Sequence, residues 1–229
     1  MMSPSHPGPV SVVVPVFNGE RFLREALQSI VAQTLAPMET IVVDDGSTDS
    51  SVTIARGLAT CIAQSNTGVA AARNRGAALA RGEFLAFLDQ DDAWLPEKLA
   101  VQVAFLGDHP NLGFCVCLQR FIVEPGQPPP AFIREKLLDM DHPGYVPSAL
   151  LVRRESFNKV GPFDGSFRFG SDADWFLRAA EAGVEGGVAP RRLLLKRLHG
   201  DNESRHAADN LAELRRAVKA SMARKRQAP

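Results

Sequence analysis

The first half of the chain alternates short apolar runs with amphipathic ones. VSVVVPVF (residues 10–17) is brief, β-branched and apolar at nearly every position, the pattern of a strand buried on both faces. From Glu20 to Gln33 the period changes. Phe22, Leu23, Ala26, Leu27, Ile30 and Val31 fall on one face of a helix. ETIVVDDGSTDSS then reads as a second strand running into a polar turn, where Ser47, Thr48 or Asp49 can cap a following helix. ATCIAQ is a third, weaker strand, and GVAAARNRGAALARGE an Ala-rich helix ended by Gly82. FLAFLD is a fourth strand, and PEKLAVQVAFLG a helix with Pro96 in its first turn. Strands alternating with helices in this way predict an α/β fold: a Rossmann-like, mostly parallel sheet with helices on both faces.

The second half is less periodic. GFCVCLQRFIV is one bent strand or two, and EPGQPPPAF is a loop by its prolines and glycine. SALLV and RRLLLKRLH read as strands, VGPFDGSF as a turn, and SDADWFLRAAEAG as a helix with Asp172 in its first turn. A last helix from His206 to Arg226 places Leu211, Leu214, Val218 and Met222 on one face. The expected organisation is a disordered segment 1–9, one domain over 10–205 with halves 10–107 and 108–205, and a basic amphipathic helix over 206–229.

Composition narrows the function classes. Lys plus Arg and Asp plus Glu are both 26, so the formal charge is zero, which argues against nucleic acid as the main partner. The three cysteines, Cys61, Cys115 and Cys117, are odd in number and lack zinc-ligand spacing, and are read as reduced, buried residues of a cytosolic protein. The opening MMSPSHPGPV lacks the apolar segment of a signal peptide, and no apolar run approaches the ~20 residues that span a bilayer. The expected location is cytoplasmic. Arg215, Arg216, Lys219, Arg224, Lys225 and Arg226 make the last helix basic, which reads first as a solvated face and second as a peripheral contact with an anionic membrane.

Candidate chemistry sits where strands end. FLAFLDQDDAWLP carries an apolar strand into Asp89, Asp91 and Asp92. Carboxylates that close repel one another, and a divalent cation would relieve them. Oxygen-only ligands select the hard ions Mg²⁺ or Mn²⁺. A solvated turn capping the next helix is the alternative. Phe17, Asp44 and Asp45 also lie at or just after strand ends, where open α/β sheets bind their ligands.

Together VSVVVPVFNGERFLREALQSIVAQTL, IVVDDGSTDSS, NTGVAAARNRGAALARGEFLAFLDQDDAWLPEKL, VGPFDGSF and SDADWFLRAAEAG resemble the family 2 glycosyltransferases of GT-A fold, over about residues 10–200. That resemblance implies a metal-dependent, inverting transfer of a sugar from a nucleotide sugar, a UDP-sugar being the expected donor, to an acceptor hydroxyl of unknown identity. It implies that Pro15, Val16 and Phe17 cradle the base, with Glu20 nearby, and that Asp45 accepts a hydrogen bond from it. Asp44 orients the loop, and Arg73, beside Asn74, faces the diphosphate. Asp91 meets the ribose or the metal, Asp92 binds the metal directly with Asp89 in support, and His199 completes the metal site or contacts the diphosphate. Asp172 is the implied general base and Asp174 its rival. The family's usual Glu before that Asp is here Ser171. The rival readings are an inactive nucleotide-sugar-binding protein and a nucleotidyltransferase. The latter would carry a Gly-rich phosphate loop with a basic residue, which PVFNGERF lacks.

Overall fold

The computed structural model describes residues 8–126, 133, 135–200 and 207–227. The expected disorder of 1–9 lies, but for Gly8 and Pro9, outside the described residues. Nine strands form one sheet: β1 (Val10–Val16), β2 (Glu39–Asp44), β3 (Thr60–Ala63), β4 (Phe84–Phe87), β5 (Ala93–Trp94), β6 (Phe114–Val123), β7 (His142–Pro143), β8 (Leu150–Arg153) and β9 (Gly186–Leu198). The helices are α1 (Leu23–Val31), α2 (Ser51–Arg56), α3 (Val69–Leu79), α4 (Lys98–Asp108), α5 (Arg154–Val160), α6 (Ser171–Glu181) and α7 (Ala207–Gln227). Across the sheet the order is β3-β2-β1-β4-β8-β6-β9-β5, with β7 pairing β6.

The first four strands are parallel, and β8 runs antiparallel to both β4 and β6. All seven residues of β1 are buried, as a central strand covered on both faces requires. The chain winds outward from β1 to β2 and β3, then returns across the sheet to place β4 on the other side of β1. That reversal is the topological switch point, where the loops after β1 and β4 part and leave a crevice. The returning helix α3 packs on β1 and β2 through small residues, Ala70, Ala72, Gly76 and Ala77. A Cβ on Gly76 would lie 2.3 Å from Val13 Cγ1, so this helix approaches the sheet closely.

Pro15 helps to open the crevice. The β1–β4 ladder covers only Val10–Val13, and its last bond runs from Leu88 N–H to Val13 O (3.0 Å). In a parallel ladder alternate residues bond the same neighbour, so the N–H that Pro15 lacks would have been the next donor toward β4. The one after it, Phe17 N–H, goes instead to the Gln90 side chain (2.8 Å).

Several boundaries differ from expectation. The 114–123 segment is a single strand, with register shifts against β9 at Cys117–Leu118 and Leu118–Gln119. Pro96 precedes α4 by two residues, and α3 ends at Leu79, ahead of Gly82. Cys115 and Cys117 are buried and reduced, whereas Cys61 is half-buried on the edge strand β3. No helix among the described residues is long and apolar enough to cross a membrane.

Candidate active site

A cleft of about 1,020 Å³ opens at the switch point. Pro15, Val16 and Phe17 at the end of β1, Asp45 after β2, Asp89 and Asp91 after β4 and His199 after β9 all line it. The loop 165–168 ahead of α6 forms a further wall. Residues separated by most of the chain therefore meet where parallel strands point their carboxyl ends.

Phe17 is 45% exposed, so its ring stands in the cleft and outside the core. Gln90 holds its backbone from both sides: Oε1 accepts Phe17 N–H, and Nε2 donates to Phe17 O (3.1 Å). A Cβ on Gly19 would fall 2.5 Å from Gln90 Oε1, so a side chain there would displace this brace. Asp45 is buried and anchors the start of α3. Its Oδ1 accepts from Gln64 Nε2 (2.7 Å) and Thr67 N–H (2.9 Å), and its Oδ2 from Gly68 N–H (2.7 Å). A carboxylate at a helix start also suits the helix dipole. Asp44 Oδ2 accepts Ser47 N–H (3.2 Å) and holds the turn. Asp49, among the expected caps, accepts Ser51 N–H (2.9 Å) and Glu20 N–H (2.9 Å).

Each of the three carboxylates of DQDD has a partner from another element. Asp89 Oδ1 takes the Arg73 guanidinium at 2.5 Å, and Lys196 Nζ stands 3.5 Å from Oδ2. Asp91 Oδ2 lies 2.9 Å from His199 Nε2, whose ring is tilted on Phe22 at 4.8 Å. Asp92 is 1% exposed and accepts from Ser148 Oγ (2.6 Å), Lys196 Nζ (2.9 Å) and Arg197 N–H (3.1 Å). Burial works against ionisation of Asp89, but Arg73 and Lys196 override it and hold the carboxyl well below its usual range. Burial, with Asp91 and Asp89 close by, pushes Asp92 up against the pull of Lys196. Lys196 loses solvation too, yet its carboxylates keep it firmly protonated.

Glu20, Arg73, Asp92 and Asp172 are not among the cleft-lining residues. Glu20 braces the start of α2 by accepting Ser50 N–H (3.0 Å). Arg73 is buried behind Asp89, with its guanidinium over Phe163 (5.7 Å). Asn74 exchanges two hydrogen bonds with the Phe163 backbone (2.8 and 2.9 Å). Asp92, expected as the direct metal ligand, ties the loop after β4 to β9. Asp172 is partly exposed in the first turn of α6, where Oδ1 accepts Ala173 N–H (2.8 Å). Asp174 is fully buried between Arg178 (2.7 Å) and Arg224 (3.3 Å).

Sequence reasoning overlooked Gln90, Lys196, Ser148 and the cleft cations Arg21 and Arg168. A lysine inside the apolar RRLLLKRLH was a readable sign of a buried acidic partner. Nothing local marked Ser148.

The profile of glycosyl transferase family 2 matches residues 11–161. The chain belongs to this family. An uncharacterised glycosyltransferase of Rickettsia typhi is 31% identical over 224 residues, covering 89% of this chain and 68% of that protein. The S. aureus TarS 1-349 structure with UDP-GlcNAc superposes with a TM-score of 0.69 at 21% identity, over 91% of this chain and 65% of that one. The mannosyltransferase PcManGT of Pyrobaculum calidifontis, in complex with GDP-Man and Mn²⁺, gives 0.72 at 22% identity, over 94% and 66%. The fold is therefore GT-A. This family 2 chain spans about two thirds of the length of these proteins, and Asp172 and His199 lie beyond the matched segment.

Proposed function

We propose that the chain is a metal-dependent, inverting glycosyltransferase that moves a sugar from a nucleotide sugar to an acceptor hydroxyl. The observation that carries this reading is the convergence of Phe17, Asp45, Asp91 and His199 on one cleft at the switch point. The ring of Phe17 offers a stacking face for the base, and Asp45 Oδ2, which takes one bond from Gly68, retains lone-pair capacity for a base N–H. Arg21 and Arg168 face the same cleft and complement an anionic donor.

The residues fit a divalent ion. Among the described residues no three His, Cys, Asp or Glu side chains group as a complete cage. Mg²⁺ and Mn²⁺ do not need one, since they are held through one or two protein groups plus substrate phosphates and water. Asp91 and His199 would supply those groups, and Asp92 would secure the loop that presents Asp91. Such an ion offsets the charge of a departing diphosphate. Asp172 would accept the proton of the attacking hydroxyl, and the loop 165–168 would guide the acceptor towards the donor.

The test is release of nucleoside diphosphate with a working acceptor, beside donor binding measured separately. Asp172→Asn should bind donor as the wild type does and lose transfer by ~10²–10⁴-fold, the usual contribution of a positioned base. Transfer by Asp172→Asn at the wild-type rate overturns the assignment. Wild-type protein that binds donor but transfers to no acceptor in a broad panel would favour the binding-protein reading.

A further inference from the structure

α7 meets the rest of the protein along one side. Ala217 and Ser221 are buried, and Arg224 reaches Glu181 (2.6 Å) and Asp174 (3.3 Å) on α6. At about 100° per residue these three positions share one side of the helix. The apolar face foreseen from the sequence is not that side. Leu211, Leu214, Val218 and Met222 are 48%, 45%, 42% and 52% exposed. Their spacing of three, four and four makes one continuous stripe, turned about 100° round the helix from Ala217, Ser221 and Arg224. Arg215, Lys219 and Arg226 follow one edge of the stripe and Lys225 continues its line past Met222, all exposed. Glu213 lies round the far side, bonded to Arg216 (3.1 Å).

This face rejects some partners. A second copy would bring an identical basic rim against it, and like charges repel. Nucleic acid would pair with the cations but has no use for four neighbouring aliphatic side chains. What matches both features is a surface with phosphate charge outside and hydrocarbon beneath. We infer that this face of α7 seats on an anionic lipid bilayer, with the Leu–Val–Met stripe in the interfacial layer and Arg215, Lys219, Lys225 and Arg226 on the headgroup phosphates. The same helix reaches the cleft. Arg216 donates to Ser166 O (3.1 Å) and Ser166 Oγ (2.8 Å) and lies over the Phe167 ring (4.2 Å), both residues of the cleft wall. A bilayer-bound α7 would thus stand one side chain from the cleft.

The experiment is co-sedimentation of the full chain with vesicles of phosphatidylcholine alone and of phosphatidylcholine mixed with phosphatidylglycerol. Binding to the mixed vesicles only, weakening as salt rises, is expected. Lys219→Glu and Arg226→Glu should each lower partitioning about fivefold or more, and Val218→Glu should abolish it, with thermal midpoints unchanged in all three. Equal partitioning to both vesicles, or none to either, overturns the inference. So does loss on charge reversal with Val218→Glu still bound, which would mark plain counter-ion attraction. A wild-type dimer in sedimentation velocity that Val218→Glu dissolves would assign the stripe to a second copy instead.

Discussion

At the residue scale, neighbouring acids in this chain have opposite fates. Asp172 and Asp174 are two apart on α6, yet one is partly exposed and the other sits fully buried between two arginines. Asp174→Asn should lower stability by about 3 kcal/mol, the low end for breaking a buried ion pair because Arg224 remains partly exposed. Asp172→Asn should leave the thermal midpoint unchanged, and thermal unfolding of the two variants checks the contrast. Phe17→Ala should weaken nucleoside binding by ~1–3 kcal/mol, as loss of a stacking ring does elsewhere. Because Phe17 is half in solvent, its removal should not lower the unfolding midpoint; a large drop would return it to the core. The separate environments of Asp89, Asp91 and Asp92 could not be read from the motif, since Arg73, Ser148 and the pair Lys196 and His199 come from three distant segments.

At the element scale, the parallel half was legible because its strands are buried on both faces and so read as apolar runs. α3 was legible from its alanines, although only the fold explains why they are small: Gly76 lies against Val13. Gly76→Val should destabilise by about 1–3 kcal/mol through overpacking, visible as a lower urea midpoint with an unchanged slope. Gly76→Ala should show a smaller loss of the same sign. α7 was foreseen as a helix, but the face it buries was not. Its seam consists of Ala217, Ser221 and Arg224, residues that no hydrophobic pattern singles out, while its aliphatic stripe faces outward. Hydrophobic periodicity finds a face that avoids water and does not say which surface covers it.

For the whole molecule, acid stability and donor binding share one set of charges. Asp89 has a folded-state pKa below its unfolded one, so its stabilisation is complete above the unfolded value of about 4 and fades as pH falls toward the folded value. Urea midpoints should fall on acidification through that window, and Asp89→Asn should flatten the fall. The binding cleft was half legible. Strand-end positions announced Phe17, Asp45 and the DQDD turn, whereas the long-range pairing of Asp91 with His199 required β9 to lie beside β5 and β6. The most direct measurement is a calorimetric titration of UDP and of GDP into wild type, Asp91→Asn and His199→Ala, with Mn²⁺ and with chelator. At least one diphosphate should bind the wild type more tightly with Mn²⁺, and both variants should lose that increment while keeping the metal-independent affinity. Equal wild-type affinity with Mn²⁺ and with chelator, or an increment that survives both substitutions, would contradict the account.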